Sequence, residues 1–319
     1  MTNIPAYLAC MAGGAALACL WFCLDIRGRT GGKKAAGMSL TLLALGAVLG
    51  IICARLACIL IHIDTLDLSR AGDLFTSIQI SDFSYYGGMA GVALAVFLTA
   101  KIFGEPARDI MNAFAPMGAF MAAVARFAEG FMGFLGVGMY FEEAKPFPLA
   151  VGFTWDGEWY EYYLAVFVFE GIVSLIACLL SLLHRDEKDR FRRTVFYLCL
   201  PQIILESMRT QTISLLFLKA EQLACFLFCE GVLIRYAFIL GAKKADSWKP
   251  ALAGLRVLIV TALAEFLLDG KIGIALNMEV IDIPVWIIYS VVAVMLVLMA
   301  VSEHSGHKKI ASIPGEKMV

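Results

Sequence analysis

Long apolar segments divide this chain and limit the folds that are open to it. The whole chain is 61% hydrophobic, whereas a soluble domain is roughly 45–50% apolar. Nine runs are long enough to cross a membrane, which takes roughly 17–25 residues of helix, and they begin near Pro5, Ser39, Ser84, Asp109, Tyr162, Thr194, Glu221, Ala251 and Ile283. We therefore predict an all-α fold, a polytopic integral membrane helix bundle with about nine transmembrane helices.

The composition also excludes several classes of function. A net charge of −1 argues against a nucleic-acid-binding protein, because such proteins usually carry a basic surface. The nine cysteines lie in apolar runs without a CxxC pair, as is typical of small buried hydrophobic residues. The four histidines are scattered and form no HExxH motif. We predict no metal site and no cofactor.

The basic residues indicate how the helices are oriented, because cytoplasmic loops carry an excess of Lys and Arg. One set of loops carries 17 basic residues, namely 25–37, 101–108, 184–193, 242–250 and the tail 303–319. The alternate set carries 5, namely 65–83, 139–161, 209–221 and 270–282. We predict that the N-terminus lies outside and the C-terminus inside.

Charged residues occur deep within the apolar runs. Arg126 and Arg209 each lie three residues from a glutamate, Glu129 and Glu206 respectively. A charge near the bilayer centre costs about 2.5–3.5 kcal/mol on insertion scales, so such residues suggest a functional site. With a rise of about 1.5 Å per residue, the predicted topology places six polar groups on five helices in the outer half of the membrane: Arg55, Tyr86, Arg126, Glu170, Glu206 and Arg209.

Two interpretations of these charges are open. Each glutamate can simply neutralise its arginine, because residues three apart on a helix are neighbours. Alternatively, the arginines bind a phosphate, because a guanidinium donates two parallel hydrogen bonds and stays charged. Convergence at one depth favours a phospholipid head-group site. Small residues at four-residue spacing predict close packing of helices two to four. They are Gly46, Gly50 and Ala54 in helix two, Gly87 and Gly91 in helix three, and Ala115, Ala119 and Ala123 in helix four.

The polar stretches together resemble one family. They read VLGIICARLACIL, then SYYGGMAGVALAVFLTAKIFGEPARDIMNAFAPMGAFMAAVARFAEGFMG, then PQIILESMRTQ. In their order and spacing they resemble bacterial prolipoprotein diacylglyceryl transferase over residues 1–240. The family's arginine motif falls on Arg126, the Glu-Gly of its fifth helix on Glu170, and its E-x-x-R on Glu206 and Arg209.

The resemblance implies an enzyme of the bacterial cytoplasmic membrane. It would transfer a diacylglyceryl group from phosphatidylglycerol to the lipobox cysteine of a preprolipoprotein signal peptide and release glycerol phosphate. The implied partners are these two substrates and membrane lipids, and no nucleic acid. The resemblance also implies a set of substrate-binding residues: Arg126, Arg209, Gly87, Gly88, Arg55, Gln202 and Glu170. The catalytic candidates are Tyr86, Glu129 and Glu206.

The chain departs from the family pattern at four positions, three of which are among these candidates. Tyr86 replaces the histidine before Gly-Gly, Glu129 the asparagine of the arginine motif, Phe134 a later glutamate, and Gln202 the arginine that opens the helix-six motif. A tyrosine hydroxyl is a poor base near neutral pH, so Glu129 is the preferred candidate for removing the thiol proton. Its alternative role is the counter-ion of Arg126.

Two other functions stay open, and so does the role of the C-terminal part. A lipid-binding paralogue would keep the two arginines without proton transfer. A lipid or small-anion transporter would also use intramembrane charges, although the hydropathy shows no inverted repeat. We predict a transferase-like membrane domain over 1–240, two additional transmembrane helices in 241–302, and a polar cytoplasmic tail over 303–319.

Overall fold

A computed structural model describes residues 3–61, 83–154, 160–184, 188–210, 214–215, 218–242, 249–268 and 284–311 of the chain. This part of the chain confirms the predicted all-α membrane bundle. It contains nine α-helices: α1 (Ile4–Thr30), α2 (Gly32–Ile61), α3 (Tyr85–Ile102), α4 (Ala107–Ala128), α5 (Val166–Leu183), α6 (Arg190–Leu205), α7 (Ala220–Ala242), α8 (Lys249–Leu268) and α9 (Val285–Ala311).

Most of these helices have the length and apolarity of membrane spans. Within the described ranges, seven qualify, namely α1–α5, α7 and α9. Helix α6 has 16 residues, and α8 contains a shorter apolar segment, Leu252–Ala264. The total of nine spans and the orientation therefore stay predictions.

The predicted orientation is open to a direct test. We expect a reporter fused after Val319 to lie in the cytoplasm and a reporter inserted in loop 270–282 to lie outside, because the basic residues favour the cytoplasmic side. Paired alkaline phosphatase and fluorescent-protein fusions measure both positions. A C-terminal reporter found outside would reverse the orientation.

The chain divides into two compact units. The first consists of Met1–Val195 and Arg209–Gln211, and the second of Phe196–Met208 and Thr212–Val319. Helix α6 contributes its first turns to the first unit and the rest to the second.

In the first unit, the first four helices share one apolar core. Phe22, Met38, Ala95 and Met117 come from α1, α2, α3 and α4 in turn, and none has any exposed surface. On α1 the buried residues recur every four positions, from Gly14 through Phe22 to Ile26, which is the spacing of one helix face. This core positions the end of α4, where charged side chains meet.

Helices α2 and α3 approach closely through glycines, which confirms the predicted packing of these two helices. A Cβ atom at Gly87 would lie 2.7 Å from the Cys53 carbonyl oxygen, and one at Gly91 would overlap the Leu49 carbonyl group. Among the described residues, a Cβ atom at Gly46 would have no neighbour within 4 Å. Gly46 therefore takes no part in this contact.

We expect Gly91→Ala to destabilise the protein by about 1–3 kcal/mol, the usual cost of overpacking. The clash is with backbone, which cannot rotate away as a side chain can. Gly46→Ala is the matched control, because it adds the same methyl group in open space, and its effect should stay within about 0.5 kcal/mol. Thermal unfolding in detergent compares the two variants. Equal melting temperatures would contradict the close approach of α2 and α3.

A small sheet connects α4 to α5, in a region that the sequence predicted only as an outer loop. Its antiparallel strands lie in the order β1-β3-β2, with β1 at Tyr140–Phe141, β2 at Ala150–Thr154 and β3 at Tyr160–Leu164. Val151 pairs with Tyr163, and Phe153 pairs with Glu161. Phe153 and Tyr163 therefore share one face of the sheet.

The second unit has a buried core of its own. Phe196, Ile203, Leu233 and Met299 have no exposed surface. Two further short strands, β4 (Ser214–Leu215) and β5 (Leu218–Lys219), pair before α7. Helix α9 extends to Ala311, so the predicted polar tail over 303–319 is helical in its first part. The division into three regions stays a prediction.

Candidate functional site

Four charged side chains meet at the end of α4, and we call Arg126, Glu129, Glu170 and Arg209 the charged cluster. Arg126 lies in the last turn of α4. Glu129 begins the 3-10 turn that follows. Glu170 lies on α5, and Arg209 forms an isolated antiparallel bridge with Gly138. All four residues belong to the first unit.

Positive and negative groups alternate around this cluster. The two Glu129 oxygens lie 2.7 Å from Arg126 Nη1 and 2.6 Å from Arg209 Nη2. Glu170 Oε2 lies 2.8 Å from Arg209 Nη1 and 3.6 Å from Arg126 Nε. Each glutamate therefore contacts both arginines, and each arginine contacts both glutamates.

The cluster is buried and electrically neutral. The side chains of Arg126 and Glu170 are 2% and 1% exposed, and Glu129 is 14% exposed. A buried ion costs several kcal/mol unless it is paired, and two arginines with two glutamates satisfy this condition. Close packing of α4 on α5 brings the groups together, because Gly171 lets the Phe127 ring approach to within 2.5 Å of where a Cβ atom would lie.

Aromatic side chains cover the Arg126 guanidinium. Its central carbon lies 3.6 Å from the centroid of the Tyr85 ring and 6.0 Å from that of Tyr86. The Tyr85 hydroxyl donates to the Ala122 carbonyl at 3.4 Å, which holds the ring against α4. Such cation–π contacts strengthen when they are desolvated.

The structure brings together part of the predicted site. Arg126, Glu129, Glu170 and Arg209 meet, with the Tyr86 ring nearby. The convergence of charges from separate parts of the chain is thus present in the first unit.

Other predicted site residues have contacts elsewhere in the fold. Gly87 and Gly88 pack against α2. Arg55 lies over the Phe83 ring, at 6.0 Å. Gln202 donates to Glu206 at 3.0 Å within the second unit. Their predicted roles towards a substrate stay predictions.

One local prediction is wrong. We expected Glu206 and Arg209 to be neighbours on a single helix. Helix α6 instead ends at Leu205, and Glu206–Met208 form a 3-10 turn. Arg209 follows this turn and forms the isolated antiparallel bridge with Gly138. That geometry allows its guanidinium to reach glutamates on two other elements of the first unit.

Sequence reasoning missed two contributors to the site. Tyr85 lies closer to Arg126 than Tyr86 does, although the sequence had marked Tyr86 by its position before Gly-Gly. The Leu135 carbonyl accepts a hydrogen bond from Arg209 Nη2, and a backbone acceptor has no signature in the sequence.

Phe134 supports this backbone contact. Its ring stacks on Phe153 at 4.3 Å and meets Tyr163 edge-on at 5.3 Å. These contacts attach the turn Gly133–Gly136 to the sheet. Leu135, the next residue, is thereby held where Arg209 can donate to it. Packing therefore accounts for an aromatic residue at position 134.

We expect Phe134→Ala to destabilise the protein by about 1–3 kcal/mol, because two ring contacts and their buried area are lost. Phe147→Ala is the matched control, because that ring is 68% exposed. Its effect should stay within about 0.5 kcal/mol. Thermal unfolding measures both variants. Equal stability losses in the two variants would show that Phe134 does not support the contact between Leu135 and Arg209.

The comparison with known proteins covers all four residues of the charged cluster. Residues 1–238 match a protein family described as prolipoprotein diacylglyceryl transferase. The matched range includes every residue of the charged cluster and most of α7, and it ends before α8 and α9. No curated protein matched the chain.

Proposed function

The chain belongs to the prolipoprotein diacylglyceryl transferase family, and from this premise we propose its donor, its acceptor and its site residues. It is a multi-pass membrane protein of a transferase family in lipoprotein biosynthesis. The proposed donor is phosphatidylglycerol in the bacterial cytoplasmic membrane. The proposed acceptor is the lipobox cysteine thiol of a preprolipoprotein signal peptide.

One observation carries this proposal. Two buried guanidinium groups converge on a single carboxylate, with one carboxylate oxygen on each guanidinium. A phosphodiester also has two free oxygens that can bridge two such groups. Arginine suits this role because its fork binds phosphate bidentately and remains charged when buried. Arg126 and Arg209 are therefore the proposed phosphate ligands.

The proposed reaction exchanges one bond for another. The acceptor sulfur forms a bond to the glyceryl carbon of the diacylglyceryl group. The bond from that carbon to the phosphate oxygen breaks, and its electron pair leaves on glycerol phosphate. Arg126 and Arg209 stabilise the charge of this leaving group, which is the usual electrostatic contribution to catalysis. Glu129 accepts the thiol proton, while Tyr86 and Glu206 are the alternative bases.

The remaining predicted residues take supporting roles in this proposal. Glu170 keeps both guanidinium groups oriented through its contacts at 2.8 Å and 3.6 Å. Gly87 and Gly88 let α3 approach α2, which places Tyr85 over Arg126. Arg55 and Gln202 are proposed contacts of the lipid head group.

A transfer assay with a panel of donors tests this function. Purified protein is incubated with a lipobox peptide and with acyl-labelled phosphatidylglycerol, phosphatidylethanolamine or phosphatidylcholine. We expect label on the peptide with phosphatidylglycerol and background levels with the other two lipids. A peptide with serine in place of the cysteine is the control. Lipid binding without transfer from any donor would identify a lipid-binding paralogue.

A further inference from the structure

Glu129 bridges the two guanidinium groups that are the proposed ligands of the lipid phosphate. Its Oε1 contacts Arg126 and its Oε2 contacts Arg209, at 2.7 Å and 2.6 Å. A phosphate that bridges the same two guanidinium groups would place its oxygens where these carboxylate oxygens lie. The two anions therefore compete for one place.

Of the two glutamates in the charged cluster, Glu129 can move away from the arginines more easily than Glu170. Its side chain is 14% exposed, whereas that of Glu170 is 1% exposed. Glu129 lies beyond the end of α4, in a 3-10 turn of three residues. Glu170 lies within α5, a helix of 18 residues. Movement of Glu129 requires less of the fold to change.

Charge balance favours exchange over addition. The cluster contains two arginines and two glutamates and is neutral. A phosphodiester that entered beside both glutamates would leave one uncompensated negative charge in a buried site, which is costly. A phosphodiester that replaces Glu129 leaves two arginines, Glu170 and one phosphate charge. The site then remains neutral throughout.

We propose that the Glu129 carboxylate is an internal substitute for the lipid phosphate, which the donor lipid must displace before the thiol can react. This inference rests on the proposed function. While Glu129 is bound to two guanidinium groups, its oxygens are engaged by both. After displacement they are available to accept the thiol proton. The substrates therefore add in a fixed order, lipid first and peptide second.

The first test measures lipid binding alone. We expect Glu129→Gln to bind labelled phosphatidylglycerol in detergent roughly tenfold more tightly than the parent, because a charged competitor is removed. Glu170→Gln is the matched control, since it removes the same charge from the same two arginines and leaves Glu129 in place. Its binding should rise much less. An equal rise in both variants, or no rise in Glu129→Gln, would overturn the proposal.

The second test uses the parent protein, so that it does not depend on the folding of a variant. The serine-substituted lipobox peptide serves as a dead-end inhibitor of transfer. Lipid-first addition predicts competitive inhibition against the cysteine peptide and uncompetitive inhibition against phosphatidylglycerol. Noncompetitive inhibition against the lipid would overturn the fixed order.

Failure of this inference is distinguishable from failure of the proposed function. If the parent transfers nothing but Glu129→Gln binds lipid more tightly, the displacement is supported and the transferase is refuted. If the parent transfers and Glu129→Gln binds lipid no more tightly than the parent, the displacement is refuted and the transferase stands.

Discussion

Arg126→Lys and Arg209→Lys should each lower the rate of diacylglyceryl transfer by about 100-fold, which is typical when a stabilising donor is removed from an active site. Lysine keeps the positive charge but presents a compact ammonium group in place of a planar fork. Arg126 contacts both glutamates through two different nitrogens, and so does Arg209. A lysine cannot reproduce both contacts with the same geometry. Phosphatidylglycerol binding should fall as well.

Arg256→Lys provides the control for these variants. Arg256 is an exposed arginine on α8, beyond the range that matches the family. Its replacement should leave both lipid binding and transfer unchanged. Initial rates and equilibrium lipid binding, measured on the same preparations, compare the three variants. If Arg126→Lys and Arg209→Lys bind and transfer like the parent, the cluster is purely structural.

Glu129→Gln should reduce turnover by about 100-fold to 10,000-fold, the usual contribution of a general base. Glutamine keeps the size of the side chain and one acceptor oxygen, but it does not accept the thiol proton. Lipid binding should be retained and become tighter, because the competing carboxylate charge is removed. Glu143→Gln is the control, because Glu143 is 81% exposed and pairs with Lys145, and it should leave turnover unchanged. Full activity in Glu129→Gln would assign the base to Tyr86 or Glu206.

Tyr86→His complements this experiment. The change restores the residue that the family resemblance places before Gly-Gly, so we expect transfer to be maintained or increased. The Tyr86 ring lies 6.0 Å from the Arg126 guanidinium, so a histidine there stays near the cluster. Rates measured across pH for the parent and this variant show whether a new ionising group takes part. Loss of transfer would show that Tyr86 itself is needed.

Much of the fold was predictable because a long apolar segment of a membrane protein satisfies its backbone hydrogen bonds by forming a transmembrane helix. The convergence of the charged side chains was also predictable, because a buried charge requires a partner of opposite sign. Arg126 and Glu129 are close in sequence, and their ion pair followed from their spacing. The contacts of Arg209 with Glu129 and Glu170 depend on how α4, α5 and an extended segment pack, which no local spacing records.

The rest of the site depends on details that hydropathy does not encode. Tyr85 rather than Tyr86 covers Arg126 because of the rotation of α3 about its axis. The position at which the helix begins does not determine this rotation. The sheet between α4 and α5 has strands of two to five residues. Such short strands give little periodic signal, although their aromatic residues anchor the turn that holds Arg209.

Mass spectrometry of the acceptor peptide tests the central claim most directly. Purified protein is mixed with phosphatidylglycerol and a lipobox peptide, and the peptide and the aqueous products are both analysed. A transferase that acts through the charged cluster predicts a diacylglyceryl group on the cysteine sulfur, with one glycerol phosphate released per modified peptide. With Arg209→Lys, both products should form about 100-fold more slowly. An unmodified peptide with the parent protein, or equal modification by Arg209→Lys, would contradict it.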